Sequence, residues 1–157
     1  MPAALPEMKV TEFFVNITSE RPNDLFRFYR DVLALPAVAG MGPAVRAAGA
    51  VIMFDQHSET RGGAREPQRH FTSLMVEDIS AEQARIEAQG VSFIRRKGRE
   101  HWGGIISTFL DPDGNYVQLV QYQESTTDDC RRTPIERSEL RPGVFRQSTI
   151  DNPLGFA

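Results

Sequence analysis

The chain reads as an α+β protein that uses one unit twice, a βαβββ module over residues 8–56 and another over 69–123, followed by an extended tail over 124–157. Three observations predict this. A run rich in β-branched and aromatic residues opens each half. One amphipathic helical stretch follows each run, and each half then closes in short strands punctuated by Gly- and Pro-bearing turns. The repeat is too long for a solenoid, so it marks a duplicated module.

In chain order, Glu12 to Ile17 alternates like a strand, with Phe13, Val15 and Ile17 on one face and Glu12, Phe14 and Asn16 on the other. A polar start over Ser19 to Asp24, with Pro22 in the first turn, leads into a helix. Leu25, Phe28, Tyr29 and Val32 form its apolar stripe, and Pro36 ends it. Ala37 to Phe54 predicts small antiparallel strands, the strongest being Ala50 to Asp55. Gln56 to Arg69, with Gly62-Gly63, reads as a mobile linker. The pattern then restarts with a strand over His70 to Val76. Ser80-Ala81-Glu82-Gln83 reads as a capping box, opening a helix that stops at Gly90. Val91 to Ile94 is a strand and Arg95 to Gly104 a loop. The clearest element is the hairpin of Ile105–Leu110 with Tyr116–Tyr122. Its turn, Asp111-Pro112-Asp113-Gly114, has Pro112 to preset φ and Gly114 to accept a positive one.

Composition narrows the function classes. A chain of 157 residues with 40% hydrophobic and 25% charged content supports one compact core. A net charge of −3 argues against a nucleic-acid binder, which needs a basic face to displace counterions. The basic run Arg95-Arg96-Lys97 with Arg99 reads as a solvated loop, and it also hints at an anionic group on a ligand. Cys130 is the single cysteine, so no internal disulfide is expected. Met1 to Met8 lacks an export signal and no run suits a membrane span, so the expected location is cytoplasmic, without nucleic-acid or membrane partners.

Several stretches resemble the vicinal oxygen chelate superfamily, which groups glyoxalase I, bleomycin-resistance proteins and extradiol dioxygenases. They are Phe28-Tyr29-Arg30-Asp31-Val32-Leu33 in the first half, and Val76-Glu77-Asp78, Gln89-Gly90-Val91 and Asp111-Pro112-Asp113-Gly114-Asn115 in the second. The resemblance spans residues 12 to 122. It implies that each module curls its sheet into half of a cup, that two modules complete the cup, and that the protein is a homodimer. It also implies that metal enzymes of this kind place ligands on the first and last strand of each module. Carried over, those positions are Glu12, Met53, Phe71 and Gln118.

That set is poor in donors for a divalent metal, because Phe71 has none and Met53 offers only a soft thioether. No cofactor is therefore expected. If a metal were held, Glu12, His70 and Gln118 would be its improvised ligands, His70 only if a bulge turned it inward. The remaining pocket walls suit a hydrophobic or aromatic small molecule. Phe14, Asn16 and Met53 come from the first half, and Phe71, Ser73 and Met75 from the start of the second. Trp102, Tyr116, Gln118 and Tyr122 complete them. The first expectation is enclosure of a ligand without chemistry, as in antibiotic-resistance proteins that sequester their drug. A metal-dependent lyase, isomerase or dioxygenase is a second reading. A metal-free acid–base enzyme using Glu12, a carboxylate set among phenylalanines, is a third.

Overall fold

The computed structural model describes residues 8–122; the predicted tail over 124–157, with Cys130, and most of the Met1–Met8 start lie outside the described residues. The fold is α+β. One sheet holds β1 (Phe14–Thr18), β2 (Ala44–Ala47) and β3 (Ala50–Asp55) in the order β1-β3-β2. The other holds β4 (Phe71–Met75), β5 (Phe93–Arg99), β6 (Gly104–Leu110) and β7 (Tyr116–Tyr122) in the order β4-β7-β6-β5. In each, the first strand lies at an edge and runs parallel to the last, while the other pairs are antiparallel. A helix follows each first strand: α1 (Pro22–Arg27) and α2 (Ile79–Glu87). The fourth strand of the first module shrinks to one bridge between Ala37 and Val45. Residues 36–43 are mostly Ala, Gly and Pro, which have little side chain to pack on a pleated surface.

Both helices and the inner faces of both sheets share one core. Leu25, Tyr29, Ile52 and Phe54 from the first half join Ile79, Ile86, Phe109 and Leu119 from the second. Tyr29 lies 4.9 Å from Phe54, and Phe28 lies 6.3 Å from Phe109, so the first helix bridges the two sheets. Each such buried side chain contributes about 1.5–3 kcal/mol relative to an exposed one. Beyond Arg27 the first helix widens into a π-helical turn, Phe28–Val32, where the Leu33 N–H donates to the Phe28 carbonyl at 3.1 Å. The wider turn lines up Leu25, Tyr29 and Leu33 as the buried row, and Arg85 of α2 donates to the carbonyls of Val32 (2.8 Å) and Leu33 (3.3 Å).

The Asp111 turn is tied to this core. Its Oδ1 accepts from the backbone N–H groups of Asp113 (3.0 Å) and Asn115 (2.9 Å), and its Oδ2 from Asn115 Nδ2 (2.9 Å) and the Tyr29 hydroxyl (3.2 Å). Burial pushes the Asp111 carboxyl above its usual range, against the pull of those donors. Burial, and then the charge of Asp111, push the Tyr29 hydroxyl up as well, which keeps it a donor. Gly114 supplies the positive φ of 82° that the turn needs.

Four sequence expectations need correcting. The first strand begins at Phe14, where pairing to Val51 starts, so Glu12 lies outside it. The cap of α2 is Asp78, whose side chain accepts from the N–H groups of Ser80 and Ala81, and Ser80 is already helical. Residues 93–99 form an edge strand with register shifts on either side of Arg95, not a loop, because β6 offers a partner and an edge tolerates charge. The stretch 56–69 is anchored: Gly62 N–H donates to Glu20 (2.7 Å), Ala64 N–H donates to the Asp113 carbonyl (2.7 Å), and 67–69 form a 3₁₀ turn.

Candidate ligand-binding faces

Each sheet buries one face on the helices and leaves the other open. On the second sheet, register arranges the open face in rows. Phe71, Tyr116 and Leu110 form the first, and Ser73, Gln118, Thr108 and Arg95 the second. Met75, Val120, Ile106 and Gly98 form the third, and Tyr122 with Gly104 the fourth. The second row is polar and crosses all four strands. Ser73 Oγ donates to Gln118 Oε1 at 3.4 Å, and Gln118 Nε2 donates to Thr108 Oγ1 at 3.3 Å. Aromatic pairs flank it, Phe71 with Tyr116 at 5.6 Å and Trp102 with Tyr122 at 5.2 Å. Thr108 and Gln118 are buried among these neighbours, whereas Phe71, Met75, Trp102 and Tyr122 are exposed.

The open face of the first sheet is simpler. Phe14, Val51 and Arg46 make one row, and Asn16, Met53 and Ala44 the next. Phe14 is 54% exposed, although it is a phenylalanine on an edge strand. The two open faces look away from each other, because the inner faces of both sheets share the helix-filled core. The residues expected to line one cup are thus brought together within each sheet, but not between the sheets of one chain.

The register also tests the carried-over ligand positions. Phe71 pairs with Tyr116, and Gln118 follows two residues later; Phe14 pairs with Val51, and Met53 follows two residues later. The counterpart of Phe71 is therefore Phe14 and not Glu12. Glu12 stands before β1, exposed, and lacks the apolar enclosure that an acid–base role would need. His70 is exposed, with extended backbone (φ −135°, ψ 132°), so no bulge turns its ring onto the face that Phe71 occupies. Among the described residues, no three or more His, Cys, Asp or Glu side chains converge. Phe14, Met53, Phe71 and Gln118 offer one hard oxygen donor between them, and it is engaged with Ser73; this set does not fit a divalent cation.

Sequence reasoning missed Thr108 and Arg46, and it placed Arg95 in a basic loop that hints at an anionic ligand group, not on this face. Alternation across the hairpin could have found Thr108, since it pairs with Gln118. Arg95 was hidden because its strand reads as a loop. A groove of about 490 Å³ lies along the β4 edge, where Leu33, Leu35 and Ala47 face Leu74, Arg85 and Ile86. It is largely apolar, and it touches the open-face rows at their β4 ends, Ser73 and Met75.

Comparison with known proteins agrees with this architecture. Residues 13–119 match the model of the Glyoxalase/Bleomycin resistance protein/Dioxygenase superfamily. An integron cassette protein from V. cholerae is 19% identical, with a TM-score of 0.60 over 76% of this chain and all of the other. Lactoylglutathione lyase from Agrobacterium tumefaciens is 17% identical, with a TM-score of 0.57 over 73% of this chain and 96% of that one. A glyoxalase/bleomycin resistance protein/dioxygenase from Nocardioides is 13% identical, with a TM-score of 0.58 over 77% and 89%. Such identities speak to the fold alone. No curated protein matches the chain.

Proposed function

Because the chain belongs to the Glyoxalase/Bleomycin resistance protein/Dioxygenase superfamily, we propose that it is a metal-independent binder that encloses a flat hydrophobic or aromatic small molecule. The observation that carries this reading is the open face of the second sheet, where two aromatic pairs flank a hydrogen-bonding row. Such a surface supplies stacking area plus a few polar groups that set orientation. Burying about 200 Å² of apolar ligand surface contributes roughly 5 kcal/mol before association costs. Useful affinity therefore needs enclosure from a second side as well as polar contacts.

We propose that a second copy of the chain supplies that enclosure, as a homodimer. The edge strands β1 and β4 support this. They leave Phe14 (54%) and Met75 (65%) exposed, with Phe13 (65%) just before β1, and unpaired apolar edges favour association. A cytoplasmic, sequestering role of the resistance type follows from this reading.

The test is calorimetry with 2-naphthamide on full-length protein, before and after dialysis against EDTA, with light scattering in parallel. The expected result is a dimer that binds the amide equally in both states and releases it chemically unchanged. Binding that requires a metal, conversion of a bound compound, or no binding at all overturns the proposal.

A further inference from the structure

The basic run of residues 95–99 divides when it folds. Arg96 turns to the helix side and pairs with Glu87 of α2 at 3.0 Å. Arg95 turns the other way, opposite Thr108, and so ends the polar row on the open face. Its guanidinium lies back over Gly98, in space that a Cβ at that position would occupy. In the next hairpin turn the Trp102 ring lies over Gly104 in the same manner, edge-on to Tyr122. Two glycines on neighbouring strands thus seat two planar groups flat on one face. Their rows are adjacent, two strand residues or about 7 Å apart. That is the reach from an aromatic ring to a carboxylate it carries.

The charges on this face are also asymmetric. Arg95 Nη2 meets Glu100 Oε1 at 2.5 Å, with side chains 36% and 12% exposed. The ion pair engages Nη2, and among the described residues no hydrogen bond engages Nε or Nη1 of the same guanidinium. A molecule laid on the face meets the cation before the acid. The first sheet repeats the sign, since Arg46 is exposed on its open face without an ion pair among the described residues.

We infer that Arg95, seated on Gly98, is the anchor for the carboxylate of a planar aromatic acid, whose ring lies on Trp102 and Tyr122. This deepens the proposed function and rests on it. Glu100 holds the guanidinium when no ligand is present and competes with the ligand carboxylate for it.

The experiment compares 2-naphthoate with its neutral isostere 2-naphthamide by calorimetry on the wild type, Arg95→Gln and Glu100→Gln. The expected result is that the wild type binds the acid about tenfold or more tightly than the amide. Arg95→Gln abolishes that preference while the amide still binds, which also shows that the variant is folded. Glu100→Gln tightens the acid and not the amide. Equal affinity of the wild type for the two compounds removes the anchor and leaves the enclosing face standing. Binding of neither removes both. Should Arg95→Gln fail to fold, the absence of tightening in Glu100→Gln overturns the inference by itself.

Discussion

The two modules share a topology and differ in what their open faces can do. In the second, strands of up to seven residues pair in a continuous hairpin, so a hydrogen-bonded row forms across β4, β7 and β6 and ends on Arg95 of β5. In the first, the sheet has three strands and one bridge, and the row equivalent to Ser73–Gln118 holds Asn16 and Met53, whose side chains share no hydrogen bond. The turns differ in kind as well. Asp111 satisfies four donors in the second module, whereas the first turns at Ala47–Ala50, with Ala48 held at φ 49°. One module therefore carries polar recognition and a rigid turn. The other contributes apolar area and a turn built on a left-handed alanine; the second module's left-handed non-glycine residue, Lys97, lies in the edge strand β5 and not in its turn. Duplication fixes where side chains point, and each copy is then free to change which side chains they are.

The sharpest way to break this contrast is Asp111→Ala. It leaves two backbone N–H groups, the Asn115 amide and the buried Tyr29 hydroxyl without their acceptor, and urea denaturation should show a loss of about 3 kcal/mol. A loss under 1 kcal/mol would mean that the two turns are equivalent after all. The pH dependence sharpens the point. Because the folded carboxyl sits above its ordinary range, its contribution is fully present below the unfolded carboxylate value of about 4 and fades as pH rises through the folded one. Stability relative to Asp111→Asn should accordingly fall from pH 3.5 towards pH 7.

Gly104→Ala tests the seat of the aromatic ring. The new methyl group overlaps Trp102, so the ring must swing off Tyr122, at a cost of about 1 kcal/mol. Trp102 is the single tryptophan, and its emission should shift to the red; unchanged emission would show that the ring does not rest there. Ala48→Gly should have the smallest effect and the opposite sign. It relieves the left-handed backbone of the first module's turn and should stabilise by about 0.5–1 kcal/mol, read as a higher urea midpoint. A neutral result would place the strain elsewhere.

Much of the fold was legible because it rests on local periodicity. The stripe through Leu25 and Tyr29, the alternation of Tyr116 to Tyr122 and the Asp-Pro-Asp-Gly turn each declare themselves within a few residues. The site was half legible. Alternation placed Gln118, Ser73, Phe71 and Met75 on one face correctly, because the side-chain period of a strand is 2. It failed for Arg95, where two register shifts between Phe93 and Gly98 interrupt the period and charge imitates a loop. It also failed for Glu12, because the onset of β1 depends on where β3 offers a partner.

The amino-acid sequence by itself determined the two modules, their order and the apolar character of their walls, since these depend on neighbours three or four residues away. Only the tertiary structure decided that Phe14 answers Phe71, that Arg95 and Arg96 part to opposite faces, and that the two open faces of one chain look outward. Those outcomes depend on register and on a core shared between distant segments, and neither is set by residues close in sequence.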